Sequence, residues 1–372
     1  MTAAGTVRAA VQTGPRRIEL RSFPRPRTGP DDGLLRLEAC GICGSDVEGY
    51  KGALGAPSGP APLPMVPGHE LLGIVEEVGE RAAARWNVRP GDRVAVEHLI
   101  TCRACGHCLT GNYLACRRRP GVYGYTPVSR EPALWGGYAE YAYLHPNVVL
   151  HRVRKDLPAE VAVMFNALGA GVRWTCQLGG TRLGDTVLIL GPGQRGLMAL
   201  LAAKAAGAAT VIVTGLGRDA GKLALARELG ADHTIDVDRE DTIERVREIT
   251  GGALADVVLE LTPMATQPVV DALEAVRHGG RVVLGGLKGQ RTVALRTDVI
   301  INKAITVVGA FSVDAPAYSQ AIRLIESGRF PLEKLHTHSF GLDEVALAIE
   351  TLAGEVPGED AVHVAIRPNG AA

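Results

Sequence analysis

The sequence has few aromatic residues and no excess of charge of either sign. Aromatic residues make up 4% of the 372 residues, and 40 Lys and Arg balance 40 Asp and Glu. Nucleic acids and anionic membranes attract basic surfaces, so a neutral chain argues against both kinds of partner. We therefore expect the partner to be a small molecule.

The sequence also lacks an apolar run long enough to cross a bilayer. The most apolar stretch, residues 186–214, is interrupted by Pro192, Arg195 and Lys204, and residues 1–8 lack the apolar core of a signal peptide. We expect a cytoplasmic protein. In that compartment the seven cysteines would stay reduced, and their spacing suggests metal binding instead of disulfides.

The length exceeds what one ordinary domain needs, which favours two domains. Short alternating apolar segments at residues 34–38, 73–78 and 92–96, separated by Gly and Pro, are typical of strands joined by turns. They predict a mostly-β domain over residues 1–160.

Strand and helix patterns alternate regularly from about residue 185. The predicted strands are 187–190, 211–214, 234–236, 257–260 and 282–285, and the predicted helices are 197–206, 220–229, 242–250 and 267–275. This alternation predicts an α/β domain over residues 161–310, with helices on both faces of a doubly wound parallel sheet. The remaining segment, 311–372, contains a predicted helix at 318–327 and is expected to return to the first domain.

Four cysteines lie within fifteen residues, at Cys102, Cys105, Cys108 and Cys116. Four thiolates at this spacing predict a closed tetrahedral zinc site with no open position for a substrate. We expect this zinc to be structural. A nucleic-acid-binding zinc ribbon uses similar spacing, but the neutral charge of the chain does not favour it.

A second set of candidate ligands lies in two glycine-framed turns, at Cys43, His69 and Glu70. A catalytic zinc needs three protein ligands and one exchangeable position. Asp46 is suited to accept the second ring N–H of the histidine, and Ser45 is suited to begin a proton relay. Taken singly, a cysteine or a histidine in such a place is more often an ordinary buried residue than a metal ligand.

An apolar strand runs directly into the turn Gly191-Pro-Gly193-Gln194-Arg195-Gly196 and then into an apolar helix. The first glycine allows the tight turn, the second lets a diphosphate approach the backbone, and the third allows close packing of helix and sheet. Gln194 and Arg195 lie at the helix N-terminus, which attracts phosphate. The motif predicts a dinucleotide coenzyme site.

The next strand ends without the acidic residue that binds the adenosine ribose in NAD enzymes. Gly215 stands at that place, and Arg218 and Lys222 follow. Loss of the carboxylate removes repulsion of a 2′-phosphate, and two cations could bind it, so we expect NADP(H) in preference to NAD(H). The alternative is that both cations are solvated and Asp219 binds the ribose.

Together these motifs resemble the zinc-dependent medium-chain alcohol and polyol dehydrogenases. The resemblance rests on Gly-Ile-Cys-Gly-Ser-Asp at 41–46, Pro-Gly-His-Glu-Leu-Leu-Gly-Ile-Val-Glu-Glu-Val-Gly at 67–79, the four-cysteine lobe, and Gly-Gly-Tyr-Ala-Glu-Tyr at 136–141. It implies a GroES-like β domain that holds a catalytic zinc and a Rossmann domain that holds the coenzyme. It also implies Cys43 and His69 as ligands, Glu70 as a carboxylate able to approach the metal, and Ser45 as the relay hydroxyl.

Two positions depart from the pattern of that family. Asn166 stands where relatives carry a further zinc ligand, usually Cys, Glu or Asp, and an amide oxygen is a weaker ligand. Glu48 stands where relatives often carry a histidine that passes the proton to solvent. The third ligand is therefore Asn166 or Glu70, and Glu48 is either the relay's outlet or part of an altered site.

The resulting prediction is an oxidoreductase that transfers a hydride between NADP(H) or NAD(H) and an alcohol or carbonyl compound. An atypical reductase of a conjugated C=C bond or an iminium, with altered or absent catalytic zinc, is the first alternative. A non-catalytic binding protein that retains the coenzyme fold is the second.

Two further expectations concern the surface of the molecule. The strand at 306–310 resembles the family's edge strand that pairs across a two-fold axis, which implies a homodimer or homotetramer. The substrate pocket is expected to form from loops 50–64 and 121–135. In the second loop, Tyr123, Tyr125 and Trp135 either line the pocket or pack in the core.

Overall fold

The computed structural model describes residues 5–52 and 62–370. The chain divides into two units: Met1–Phe165 with Ile322–Ser327 and Leu335–Ala372, and Asn166–Ala321 with Gly328–Lys334. The sequence predicted boundaries after residues 160 and 310. Among the described residues, no helix is both long and apolar enough to span a membrane.

The N-terminal part of the first unit consists of short strands and four short helices within the described ranges. The strands are β1 (Thr6–Gly14), β2 (Arg17–Pro24), β3 (Gly33–Gly41), β4 (Glu70–Val78), β5 (Arg93–Val96), β6 (Leu99–Ile100), β7 (Gly121–Val122), β8 (Tyr141–Leu144) and β9 (Leu150–Arg152). The helices are α1 (Gly44–Tyr50), α2 (Glu80–Trp86), α3 (Gly106–Leu109) and α4 (Ala159–Ala162). The mostly-β character predicted for this region is present.

The second unit contains the predicted parallel sheet. Its strands are β10 (Thr186–Leu190), β11 (Thr210–Gly215), β12 (His233–Asp236), β13 (Ala255–Glu260), β14 (Val276–Leu284) and β15 (Thr306–Gly309). They lie in the order β12-β11-β10-β13-β14-β15, and every neighbouring pair is parallel. Because the strand order reverses between β10 and β13, the crevice for a ligand is expected at the carboxyl ends of these two strands.

Helices precede, connect and follow these strands. They are α5 (Phe165–Val172), α6 (Gln194–Ala206), α7 (Ala220–Glu228), α8 (Thr242–Ile249), α9 (Gln267–Ala275), α10 (Asp298–Asn302) and α11 (Ala315–Glu326), and α6 to α10 are the connecting ones. A cluster of Leu, Ile, Val and Ala side chains from strands and helices forms the core, with Leu188, Ile212 and Val258 completely buried. Strands buried on both faces explain the continuous apolar runs of the sequence.

Small differences from the predicted boundaries have local causes. Helix α6 begins three residues before the predicted start at 197, because Gln194 and Arg195 are polar and carry no apolar periodicity. The strand predicted at 282–285 overlaps the last three residues of β14, and Gly285 lies beyond it. Helix α11 begins at Ala315, three residues before the prediction.

The C-terminal segment adds β16 (His336–Phe340), α12 (Val345–Leu352) and β17 (His363–Ile366) to the first unit. They complete a seven-stranded sheet in the order β16-β17-β3-β4-β5-β9, with β8 paired to β3. Apolar side chains of α12 and β17 pack with those of β3 and α1 in one buried cluster.

The pairing of β3 with β4 brings distant parts of the sequence together. The two strands are antiparallel, and Gly41 at the end of β3 lies opposite Glu70 at the start of β4. Residues just after β3 and just before β4 therefore meet at one edge of the sheet. Those residues are Cys43 and His69.

Candidate active site

Three candidate metal ligands converge at the edge formed by β3 and β4. One ligand atom each from Cys43, His69 and Glu70 lies within 4.8 Å of the other two, and all three residues are buried. A side chain at Gly41 would displace the carboxylate of Glu70, so glycine at the facing position leaves room for that carboxylate. A thiolate, an imidazole and a carboxylate at this separation form a donor set that suits zinc.

Asp46 connects two of these residues. Its Oδ2 accepts the backbone N–H of Cys43 at 2.9 Å, and its Oδ1 lies 3.2 Å from Nδ1 of His69. Burial lowers the pKa of His69, but the charge of Asp46 and the hydrogen bond to it outweigh burial and leave the pKa well above its usual value. When a metal replaces the proton on Nε2, the ring still donates from Nδ1 to Asp46, so the same hydrogen bond orients Nε2 towards the metal.

Ser45 and Glu48 follow on the same short helix, α1, and both are half-buried. The hydroxyl of Ser45 lies near the phenol of Tyr125, whose pKa it lowers slightly, and the Tyr125 ring centroid lies 5.7 Å from that of His69. Burial raises the pKa of Tyr125 to about 12, so the phenol is protonated at neutral pH. The hydroxyl groups of Ser45 and Tyr125 therefore both lie beside the candidate ligands.

Asn166, the other predicted ligand, uses both ends of its amide within the second unit. Its Nδ2 donates to the hydroxyl of Tyr318 at 2.8 Å, and its Oδ1 accepts from the guanidinium of Arg195 at 3.0 Å. Arg195 also donates to the backbone oxygen of Asn166 at 3.0 Å. The amide oxygen, which is the atom that could bind a metal, already accepts a charge-assisted hydrogen bond.

The four cysteines of the lobe also lie close together. Their sulfur atoms lie within 4.8 Å of one another, with 3.9 Å between Cys102 and Cys108 and 3.5 Å between Cys105 and Cys108. Four sulfurs bound tetrahedrally to zinc are separated by about 3.8 Å. A backbone hydrogen bond at Ala104 is the main cause that lowers the pKa of Cys102 to about 6, which favours its thiolate.

A buried carboxylate ties this lobe to the sheet. Glu97 lies just after β5, accepts from the hydroxyl of Tyr113 at 2.9 Å, and lies 2.8 Å from Nε2 of His151 on β9. Tyr113 lies between the third and fourth cysteines, so the lobe is attached at a fixed place.

The glycine turn lies between β10 and α6, with the geometry expected of a diphosphate site. Gly191 has φ +106°, which favours glycine, and a side chain at Gly196 would collide with the carbonyl oxygen of Gly191. A Cβ added at Gly193, by contrast, would meet no atom of the described residues within 4 Å, which leaves room for a ligand. Helix α6 begins with Gln194, and its N-terminus attracts anions.

The end of β11 carries no acidic side chain. Gly215 is buried, and a Cβ there would lie 2.8 Å from Pro192 Cγ. Arg218 is exposed, whereas Lys222 Nζ lies 3.8 Å from Asp219 Oδ1. Asp219 also accepts the backbone N–H of Leu216 at 3.1 Å.

Comparison with known proteins identifies the family. A model described as an alcohol dehydrogenase GroES-like domain matches residues 29–155, and a model described as a zinc-binding dehydrogenase matches residues 196–327. A protein of Mycobacterium tuberculosis named as a probable alcohol dehydrogenase is 45% identical over 99% of this chain and 100% of its own. The chain belongs to the zinc-binding alcohol dehydrogenase family.

Other relatives agree with this assignment. An erythritol/L-threitol dehydrogenase of Mycolicibacterium smegmatis is 32% identical over 97% of this chain and 98% of its own. A zinc-binding dehydrogenase of Sinorhizobium meliloti, solved with NADP bound, is 28% identical, covers 98% of this chain and 100% of its own, and has a TM-score of 0.85.

The prediction of a zinc-dependent medium-chain dehydrogenase with a GroES-like domain and a Rossmann domain is thereby confirmed. The protein is an NAD(P)-dependent, zinc-containing oxidoreductase of alcohols and carbonyl compounds. The atypical reductase and the non-catalytic binding protein are not favoured, because the relatives are named as alcohol and polyol dehydrogenases.

The structure of this dehydrogenase shows where three aromatic residues lie that the sequence assigned either to the pocket or to the core. Tyr123 and Trp135 are almost completely buried in the core of the first unit, so they pack instead of lining a pocket. Tyr125 is half-buried beside His69. Most of the predicted pocket loop 50–64 lies outside the described residues.

Sequence reasoning missed two neighbours of the candidate ligands. The ring of His98 lies 5.4 Å from that of His69, and Tyr138 packs its ring against Gly68. Neither residue belongs to a ligand-spacing pattern, because each comes from a different loop of the first unit. The Gly-Gly-Tyr motif that contains Tyr138 was noted only as part of the family resemblance.

Proposed function

We propose that this dehydrogenase interconverts a secondary or primary hydroxyl of a small polyol and the corresponding carbonyl, with NADP(H) as coenzyme. The observation that carries the proposal is the buried set Cys43, His69 and Glu70 with Asp46 behind it. The polyol class is supported by the relatives named as erythritol/L-threitol, sorbitol and D-arabitol-phosphate dehydrogenases.

The donor set fits one catalytic zinc with three protein ligands and an open position. Glu70 is the third ligand in this proposal, because the amide oxygen of Asn166 accepts from Arg195. When bound, the zinc would polarise the substrate oxygen and lower the pKa of the alcohol. A second zinc, held by Cys102, Cys105, Cys108 and Cys116, would be structural.

The protein's own residues orient the site and carry the proton. Asp46 holds His69 in the tautomer that presents Nε2 and also braces the backbone of Cys43. The hydroxyl of Ser45 accepts the proton released by the alcohol and passes it toward the neighbouring phenol of Tyr125. Glu48, half-buried on the same helix, is the proposed outlet to solvent.

The coenzyme is held by the glycine turn and by the end of β11. The backbone at Gly191, Gly193 and Gly196 and the N-terminus of α6, with Gln194 and Arg195, would bind the diphosphate. The preference for NADP(H) is supported by Gly215, which leaves no carboxylate at the ribose position, and by the exposed guanidinium of Arg218. Lys222 contributes less, since its ammonium lies near Asp219.

Replacing Arg218 by alanine is expected to raise the KM for NADPH about 10-fold and to leave the KM for NADH nearly unchanged, because one charge-assisted contact to the 2′-phosphate is lost. Steady-state kinetics with both coenzymes would measure this. Arg239→Ala is a matched control, since Arg239 is an exposed cation that pairs with Asp236 at 3.5 Å. Equal changes for both coenzymes would overturn the assignment.

Three further points complete the proposal. Strand β15 lies at the edge of the parallel sheet, with Val307 and the nearby Phe311 exposed, and we propose that it pairs with the same strand of a second copy in a homodimer or homotetramer. We also propose a cytoplasmic location, because thiolate ligands such as those of the four-cysteine lobe stay reduced in that compartment. The division 1–160, 161–310 and 311–372 stays a proposal for the domains.

The proposed function is tested by zinc content and substrate turnover together. Metal analysis of protein purified without chelators is expected to give about two zinc ions per chain. The same sample should oxidise four- to six-carbon polyols with NADP⁺ and do so more slowly with NAD⁺. About one zinc per chain, with reduction of conjugated C=C bonds or iminium compounds in place of polyol oxidation, would overturn the proposal.

A further inference from the structure

Tyr138 is held rigidly next to the candidate catalytic ligands. Its backbone N–H donates to the carbonyl of Pro67 at 3.1 Å, and its carbonyl accepts the N–H of Ala10 at 2.9 Å. Its ring covers Gly68, where φ is +86° and a side chain would collide with the ring. Gly68 directly precedes His69, so the phenol packs against the turn that carries the ligands.

The hydroxyl of Tyr138 has no hydrogen-bond partner among the described residues, and the residue is 0% exposed. Burial is the main cause that raises its pKa, and the negative charges of Asp46 and Glu70 raise it further. The phenol ring and the sulfur of Cys40 both pack on Gly68, so the O–H is buried beside the turn that carries His69 and Glu70.

Other buried tyrosines of the first unit do not share this property. The hydroxyl of Tyr123 donates to the carbonyl of Tyr143 at 2.7 Å, and that of Tyr50 donates to Glu350 at 3.1 Å. A buried donor without a partner destabilises the fold, and phenylalanine would fill the same space without that cost. An unpartnered O–H in this place indicates a partner that forms only in another state of the site.

We propose that Tyr138 is a positioning residue of the catalytic metal site, whose hydroxyl donates a hydrogen bond to a ligand carboxylate or thiolate when the metal is bound. The bond would hold the ligand in place and neutralise part of its charge. Partners of this kind typically contribute 10- to 100-fold to metal affinity. The inference rests on the proposed function, because it requires a zinc ion at Cys43, His69 and Glu70.

The test uses Tyr138→Phe in the full-length protein. Zinc affinity at the weaker of the two zinc sites is measured by competition with a chromophoric chelator, and thermal unfolding is measured after that site has been emptied. We expect zinc affinity to fall at least about 10-fold, while the melting temperature of the emptied protein stays the same or rises. The phenyl ring is retained, so the variant keeps the packing against Gly68.

Tyr123→Phe is the matched control. The substitution removes a hydroxyl that donates a hydrogen bond in the core of the same unit. We therefore expect the melting temperature of the variant to fall and its zinc affinity to stay unchanged. If Tyr138→Phe binds zinc as tightly as the wild type, the role of Tyr138 is overturned while the proposed function stands. If the wild type itself binds only about one zinc per chain, both are overturned.

Discussion

Replacing Cys43 by alanine is expected to reduce the zinc content from about two ions to about one per chain and to lower polyol oxidation on the order of 10³-fold or more. The thiolate is one of three protein ligands, and the remaining imidazole and carboxylate would hold the ion much more weakly. Metal analysis and initial-rate assays on the same preparation measure both effects.

Cys40→Ala provides a control three residues away. Cys40 is completely buried at the end of β3 and belongs to no ligand set, so the variant should keep both zinc ions and lose only some stability. Loss of activity in Cys43→Ala with the zinc content unchanged would show that the thiol does not bind the metal. Loss of zinc in both variants would indicate that the substitutions damage the fold and would not identify Cys43 as a ligand.

The second large effect is expected at the glycine turn, where two alanine substitutions should behave differently. In Gly196→Ala the new methyl group would collide with the carbonyl oxygen of Gly191, so the turn and helix α6 must separate. We expect a cost of about 3 kcal/mol in the free energy of unfolding, together with loss of measurable coenzyme binding.

Gly193→Ala should leave the free energy of unfolding within about 0.5 kcal/mol of the wild type. Gly193 has φ −68°, and a Cβ there meets no described atom within 4 Å. Because the coenzyme diphosphate is proposed to occupy that space, coenzyme affinity should still fall at least about 10-fold. Chemical denaturation and fluorescence titration with NADPH measure the two quantities, and unchanged coenzyme affinity in Gly193→Ala would place the diphosphate elsewhere.

Local patterns account for most of what could be predicted. The four cysteines are separated by two to seven residues, so their sulfurs can meet whatever the rest of the fold does. The glycine turn is equally local, since strand, turn and helix are consecutive. The strands of the second unit were predictable for the same reason, because buried parallel strands are continuous apolar runs.

Other parts of the site depend on contacts between segments that lie far apart in sequence. The sequence placed Asn166 in a ligand position, but whether its amide oxygen is available depends on Arg195 and Tyr318, which are 29 and 152 residues away. The aromatic residues of loop 121–135 could likewise pack in the core or line a pocket. Their burial, not their type, separated Tyr125 from Tyr123 and Trp135.

The sequence by itself determined the family, the two-domain α/β plan and the types of residue proposed to bind metal and coenzyme, because these depend on composition, periodicity and short spacings. Only the tertiary structure decided which residues meet. The antiparallel register of β3 and β4 sets Gly41 opposite Glu70 and so gathers Cys43, His69 and Glu70. The unpartnered hydroxyl of Tyr138 also emerges only when β1, the turn before β4 and the segment before β8 are packed together, since a hydrogen bond requires distances that no sequence pattern encodes.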